Sequence, residues 1–199
     1  MFRRHIVTLV LLLGSATVWA ENIDLNLRGS SIQIQYGFPM SEENPEKSEF
    51  HVGALYNENQ NLMGDFGFLI HNTKPAPDSS PEEISGGIIA PKFTTSFGMK
   101  GVITNTKPSP LSSVALGVQL RFSLPSTPRV GILGQFYYAP SIVAFGGANR
   151  YVETGLRLEY EILPQTTAYL GYRRIEFGLK LLPTFIFDTG AQIGMKINF

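Results

Sequence analysis

Residues 114–122 read Val114-Ala115-Leu116-Gly117-Val118-Gln119-Leu120-Arg121-Phe122. Every second side chain is large and apolar, and between them lie Ala115, Gly117, Gln119 and Arg121. A repeat of two places the apolar set on one face of an extended strand, whereas a helix would need apolar residues three and four apart. The same period recurs downstream. Val130-Ile132-Gly134-Phe136-Tyr138 alternates with Gly131, Leu133, Gln135 and Tyr137, and Val152-Thr154-Leu156-Leu158-Tyr160 alternates with Glu153, Gly155, Arg157 and Glu159. Ala168-Leu170-Tyr172 and Ala191-Ile193-Met195-Ile197-Phe199 follow the same pattern.

Working back from residue 114, Phe93-Thr95-Phe97-Met99 alternates with Thr94, Ser96, Gly98 and Lys100. Phe50-Val52-Ala54-Tyr56 and Leu62-Gly64-Phe66-Phe68-Ile70 flank Asn57-Glu58-Asn59-Gln60, a hairpin signature. Ile23-Leu25-Leu27 and Ile32-Ile34-Tyr36 have opposite parity across Gly29-Ser30-Ser31, which marks a hairpin or a bulge; the turn-like Arg28-Gly29-Ser30-Ser31 favours the hairpin. The count is ten strands, or eight if the first pair stays outside the wall. Residues 72–92, rich in Pro and Ser, are expected to form the longest connection.

Arg3-Arg4-His5, the apolar run Ile6 to Leu13 and the small residues Val18 and Ala20 have the form of a secretory signal peptide over residues 1–20, cleaved after Ala20. The barrel domain then spans 21–199. With Arg3 and Arg4 removed, 14 bases face 16 acids. That balance carries no basic stripe and speaks against a nucleic-acid partner. Only 16% of residues are charged, below the roughly 25% of soluble domains. The absence of Cys excludes disulfides, thiolate metal sites, a Cys nucleophile and a lipobox.

Alternation alone fits a soluble barrel as well as a membrane one, since both have one apolar face. Strand length favours the membrane: several strands approach the 9–11 residues, roughly, that a tilted strand needs to cross the hydrocarbon core. The alternate face mixes small residues with Asp65, Lys100, Gln119, Arg121, Glu153, Arg157, Glu159, Arg173, Gln192 and Lys196, a plausible hydrated filling for a narrow lumen. Phe93, Phe122, Tyr160 and Phe199 fall at one end of their strands and Tyr138 and Tyr172 near the other, as aromatic girdles would. The expectation is therefore a closed antiparallel transmembrane β-barrel, an exported protein of the Gram-negative outer membrane. Its partners are membrane lipid and the machinery that assembles such barrels, for which Phe199 is the expected recognition residue. A secreted β-sandwich or lipocalin-like binder is the soluble alternative.

The second half resembles the YfaZ family of outer-membrane proteins. The resemblance is carried by Gly134-Gln135-Phe136-Tyr137-Tyr138-Ala139-Pro140-Ser141, by Tyr151, Glu153, Gly155, Arg157 and Tyr160, by Leu163-Pro164 and Tyr169-Leu170-Gly171-Tyr172-Arg173, and by Gly190 to Phe199. It covers residues 112–199 and implies an outer-membrane protein with no nameable activity.

No residue is nominated as catalytic, cofactor-binding or metal-ligating, and the expected protein is not an enzyme. His51, Ser96 and Asp65 share the inward parity and are the set a lipid-modifying enzyme would use, although their spacing does not require them to meet. Arg121, Glu153, Arg157, Glu159 and Arg173 are instead expected to form a luminal charge network, because buried ions are costly unless paired. Glu153 and Arg157 lie about 13 Å apart along one strand, so each needs a partner from a neighbouring strand; Arg121 and Arg173 are the candidates for Glu153 and Glu159. Ten strands stand just above the roughly eight whose interior side chains fill, so at most a narrow pore is expected. The remaining role is surface interaction through residues 139–150 and 105–111.

Overall fold

The computed structural model describes residues 22–40, 47–59, 61–75, 92–106, 110–124, 127–180 and 183–199. The expected leader over residues 1–20 and its expected cleavage point lie outside the described residues. Among the described residues eleven strands follow one another: β1 (Asn22–Arg28), β2 (Ser31–Pro39), β3 (Ser48–Asn57), β4 (Leu62–Pro75), β5 (Lys92–Asn105), β6 (Leu111–Leu124), β7 (Thr127–Ala139), β8 (Ala144–Gly146), β9 (Ala148–Leu163), β10 (Thr166–Leu179) and β11 (Phe185–Asn198).

Ten of them close a ring. Each pairs antiparallel with its neighbours in chain order, β7 passes directly to β9, and β1 pairs with β11 from Asn22↔Asn198 to Leu27↔Ile193. The N-terminal pair therefore belongs to the wall. Closure removes the unpaired sheet edge that an open sheet would expose. Gly29-Ser30 makes the two-residue turn of the first hairpin, with Arg28 opposite Ser31. The three-residue β8, preceded by a 3-10 turn at Ser141–Val143, folds onto the start of β6 instead of entering the ring. It leaves through Gly146, whose φ of 68° suits glycine.

The sequence reading placed residues 72–92 in one connection. In the structure β4 runs on to Pro75 and β5 starts at Lys92, their register extending to Pro75↔Lys92, so the ladder outlasts the alternating apolar stretch. Residues 76–91 lie outside the described residues. Likewise 139–150 is not plain loop: it contains the 3-10 turn, β8 and the first residues of β9.

Which way the apolar face points distinguishes the membrane barrel from the soluble one. Leu116, Leu170 and Ile193 are 66%, 60% and 61% exposed on the outer wall, whereas Lys100, Glu153 and Arg173 inside are 5%, 2% and 1% exposed. A barrel in water gains by burying the first set and solvating the second. This wall does the reverse, as a wall facing lipid must. Two ends can be told apart: a lower end with Asn22, Leu124, Leu163 and Asn198, and an upper end with the Gly29-Ser30 turn, the 3-10 turn and β8.

The candidate functional site is the lumen

The lumen has three zones, because the inward residues of each strand change character along its length. At the upper end most inward positions of β3, β4, β5, β7, β9, β10 and β11 are apolar, with the polar Asn57, Thr104 and Ser113 among them. Leu55, Met63, Val102, Ile175, Phe177 and Phe187 are at most 3% exposed and pack with Tyr137 and Tyr151 into one cluster, with Val143 of the 3-10 turn against it. The Tyr151 and Phe177 rings stand 5.0 Å apart, and Phe187 meets Phe177 edge-on at 6.3 Å. Phe187 reaches the lumen through a β-bulge: Ile175 pairs with Asp188 and Glu176 with Ile186, leaving Phe187 as the extra residue. Both Phe187 and Asp188 are thereby buried.

Below this lies a layer of paired charges. Glu153 receives Lys100 Nζ at 2.9 Å, Tyr151 Oη–H at 2.6 Å and Gln135 Nε2–H at 2.9 Å. The Lys100 ammonium also lies 4.3 Å above the centre of the Tyr137 ring, whose hydroxyl accepts from Gln119 at 2.8 Å. Asp188 takes Arg173 at 2.9 Å on one oxygen and Arg28 on the other, while Arg173 also donates to Gln33. Asp24 accepts from Arg157 at 2.8 Å and from the Tyr169 hydroxyl, and the Arg157 guanidinium stacks 4.4 Å over the Tyr169 ring. His51 Nε2 stands 3.9 Å from Asp65 Oδ1. These two residues cross between β3 and β4, and glycine faces each of them: Gly67 opposite His51 and Gly53 opposite Asp65. A Cβ at Gly53 would come within 2.8 Å of the Asp65 carboxylate and one at Gly67 within 2.9 Å of the His51 ring, so these side chains use the space glycine leaves.

The lower end holds a polar cavity of about 340 Å³. Glu49, His71, Ser96, Arg121, Glu159 and Lys196 are among its lining residues. Within it Arg121 and Glu159 pair at 2.8 Å, and Lys196 stands 3.7 Å from Glu49.

All five residues of the expected network point inward, but their partners differ from expectation. Arg121 does meet Glu159. Glu153 meets neither Arg121 nor Arg173; its counter-ion is Lys100, three strands away around the ring and therefore across the lumen. Arg157 likewise reaches Asp24 across the lumen, and Arg173 turns to Asp188 on adjacent β11. A narrow barrel brings facing strands within side-chain reach, so a partner need not come from a neighbouring strand. Four inward ionic residues were missed, Asp24, Arg28, Glu49 and Asp188. Asp24 and Arg28 sit on the inward parity of β1 and could have been found from Ile23-Leu25-Leu27 alone, Glu49 shares the parity of His51 on β3, and Asp188 keeps the inward parity of Gln192 on β11; it is Phe187, the residue of the bulge, whose inward position the alternation does not give.

The set His51, Ser96 and Asp65 does not assemble. Ser96 hydrogen-bonds His71 Nδ1 at 2.7 Å, its direct partner on β4, and His51 stays with Asp65. Among the described residues, no group of three or more His, Asp and Glu is arranged to hold a metal ion. Phe199, just past β11, is 61% exposed at the lower end.

The family described as YfaZ precursor matches residues 87–199, more than half of the chain. This chain belongs to the YfaZ family. The match begins in the connection before β5 and runs through β11. No curated protein matches the chain. A solved structure described as "Unveiling the Mechanism Behind the in-meso Crystallization of Membrane Proteins" is similar at 15% identity and a TM-score of 0.42, over 89% of this chain and 82% of that one. YfaZ membership, the closed ring and the apolar outer wall together fit an outer-membrane barrel protein.

Proposed function

We propose that this YfaZ-family barrel is a sealed, non-enzymatic protein of the Gram-negative outer membrane, exported as a precursor cleaved after Ala20, and that it acts through the surface it presents at its upper end. The supporting observation is the apolar layer across the upper lumen, where Leu55, Met63, Val102, Tyr137, Tyr151, Ile175 and Phe177 are at most 1% exposed. Close-packed interiors leave few voids larger than one water molecule, and ions do not cross such a layer. Most of the charges beneath it are held in ion pairs, two arginines sharing Asp188, and so act as a filling, not as a row of selectivity groups. The cavity at the lower end is a blind vestibule on this reading.

A narrow pore is the competing role, and that vestibule is the observation in its favour. Single-channel recording of the purified protein in a planar bilayer separates the two. A sealed barrel leaves the bilayer silent at moderate voltage, and stable, uniform openings would refute it.

A further inference from the structure

The outer wall is apolar over most of its height, but one corner at the upper end carries charge. On β10 the outward residues beyond Tyr172 are Arg174 and Glu176, and Arg150 on β9 faces outward beside them. Arg174 donates to Glu176 from Nε at 2.9 Å and from a terminal nitrogen at 2.7 Å. Arg150 reaches the same carboxylate at 3.5 Å and Thr184 Oγ1 at 3.4 Å. Lys180, at the same corner, donates to the Gly146 carbonyl. Two guanidinium groups thus share one carboxylate and leave a net positive charge, with Arg150 and Arg174 about half exposed.

The position of Arg150 is set by packing. Its direct partner on β10 is Gly178, and a Cβ there would come within 2.6 Å of Arg150 Cγ, so the stem lies in the groove the glycine leaves. Directly below the cluster the wall turns apolar again at Leu156, Leu158, Leu170 and Ile193. Glu176 and the outward Tyr138 both stand opposite Val152, and Arg150 lies two residues beyond it, about 7 Å along the strand, which places the charges at and just beyond an aromatic that sits at headgroup depth in such barrels. A fork of arginines above an apolar wall matches an amphiphile with a phosphate head and acyl chains.

We propose that Arg150 and Arg174 form a binding site for the phosphate of an anionic membrane lipid, with its acyl chains lying on the wall formed by Leu156, Leu158, Leu170 and Ile193. Glu176 holds the two guanidinium groups together and competes with the phosphate for them. The site rests on the outer-membrane reading and is independent of whether the lumen conducts.

The test is native mass spectrometry of the refolded protein after delipidation, incubated with micelles containing lipid A, phosphatidylglycerol or phosphatidylcholine. The wild type is expected to retain the two anionic lipids and not the zwitterionic one. Arg150→Ala with Arg174→Ala should lower anionic retention about 25-fold, roughly fivefold per arginine. Arg150→Lys with Arg174→Lys should retain part of it, since charge remains and the fork is lost. Glu176→Gln should increase retention, because it removes the competing anion; a merely structural ion pair predicts no gain. Heat-modifiable gel mobility confirms that each variant has folded, and the lysine pair serves if the alanine pair does not fold. Equal retention by wild type and arginine variants would overturn the proposal. So would displacement of the lipid by inorganic phosphate at constant ionic strength, which would show a free-phosphate site. If no form inserts into vesicles, the outer-membrane reading falls and the lipid site with it.

Discussion

Replacing Glu153 with Gln is the most informative perturbation of the lumen. The residue is 2% exposed and is the sole carboxylate on Lys100 among the described ion pairs, with Lys100 itself 5% exposed. The amide keeps the shape and much of the hydrogen bonding from Tyr151 and Gln135 but removes the charge. Lys100 would then be a buried cation without a contacting carboxylate, left with the Tyr137 ring and the more distant charge of Asp65. Removing one partner of a buried pair costs about 3–5 kcal/mol, of which a cation–π contact returns about 1–2 kcal/mol, so a loss of about 1–4 kcal/mol is expected. Changing both partners, Glu153→Gln with Lys100→Met, leaves no orphan charge and should recover most of that loss. Glu159→Gln supplies the contrast: its partner Arg121 is 47% exposed, can take up water, and the change should cost about 0–1 kcal/mol. Equilibrium urea unfolding in lipid vesicles, followed by far-ultraviolet circular dichroism and heat-modifiable mobility, measures all four proteins. The reasoning is refuted if Glu153→Gln and Glu159→Gln cost the same, or if the double variant is less stable than Glu153→Gln alone.

Four further outcomes follow from the same structure. Leu156→Arg on the lipid face should cost about 2–4 kcal/mol at mid-depth, while Leu156→Val should barely change the unfolding midpoint. Phe177→Ala removes a fully buried ring from the upper cluster and should cost about 3–5 kcal/mol in the same assay without producing conductance, since Tyr151 and Phe187 still cross the lumen. Gly117→Ala places a methyl group in the Tyr137 ring and should destabilise by about 1–3 kcal/mol; wild-type stability would mean that the ring moves freely. Ser96→Ala breaks the hydrogen bond to His71 and should shift the midpoint by no more than about 1 kcal/mol, and the loss of any lipid-hydrolysing activity in that variant would contradict the non-enzymatic reading.

The sequence by itself determined the wall. Alternation at Val114 to Phe122 and its counterparts assigns inside and outside for nearly every residue of a strand, because the period of two is rigid and one slip would reverse every side chain. The Gly29-Ser30 hairpin, the count of ten ring strands and the inward orientation of Arg121, Glu153, Arg157, Glu159 and Arg173 all follow from it. Parity is a property of one strand, whereas pairing inside a closed barrel depends on which strands face each other and at what height. That is why Glu153 finds Lys100 and Arg157 finds Asp24, pairs that neither spacing nor strand adjacency indicates. The bulge at Phe187 is tertiary in the same sense, since an extra residue has meaning only against the partner strand it fails to pair with. The upper apolar layer lay hidden for a related reason: Leu55, Met63, Val102 and Phe177 come from separate strands and form a layer only once the ring has closed around them.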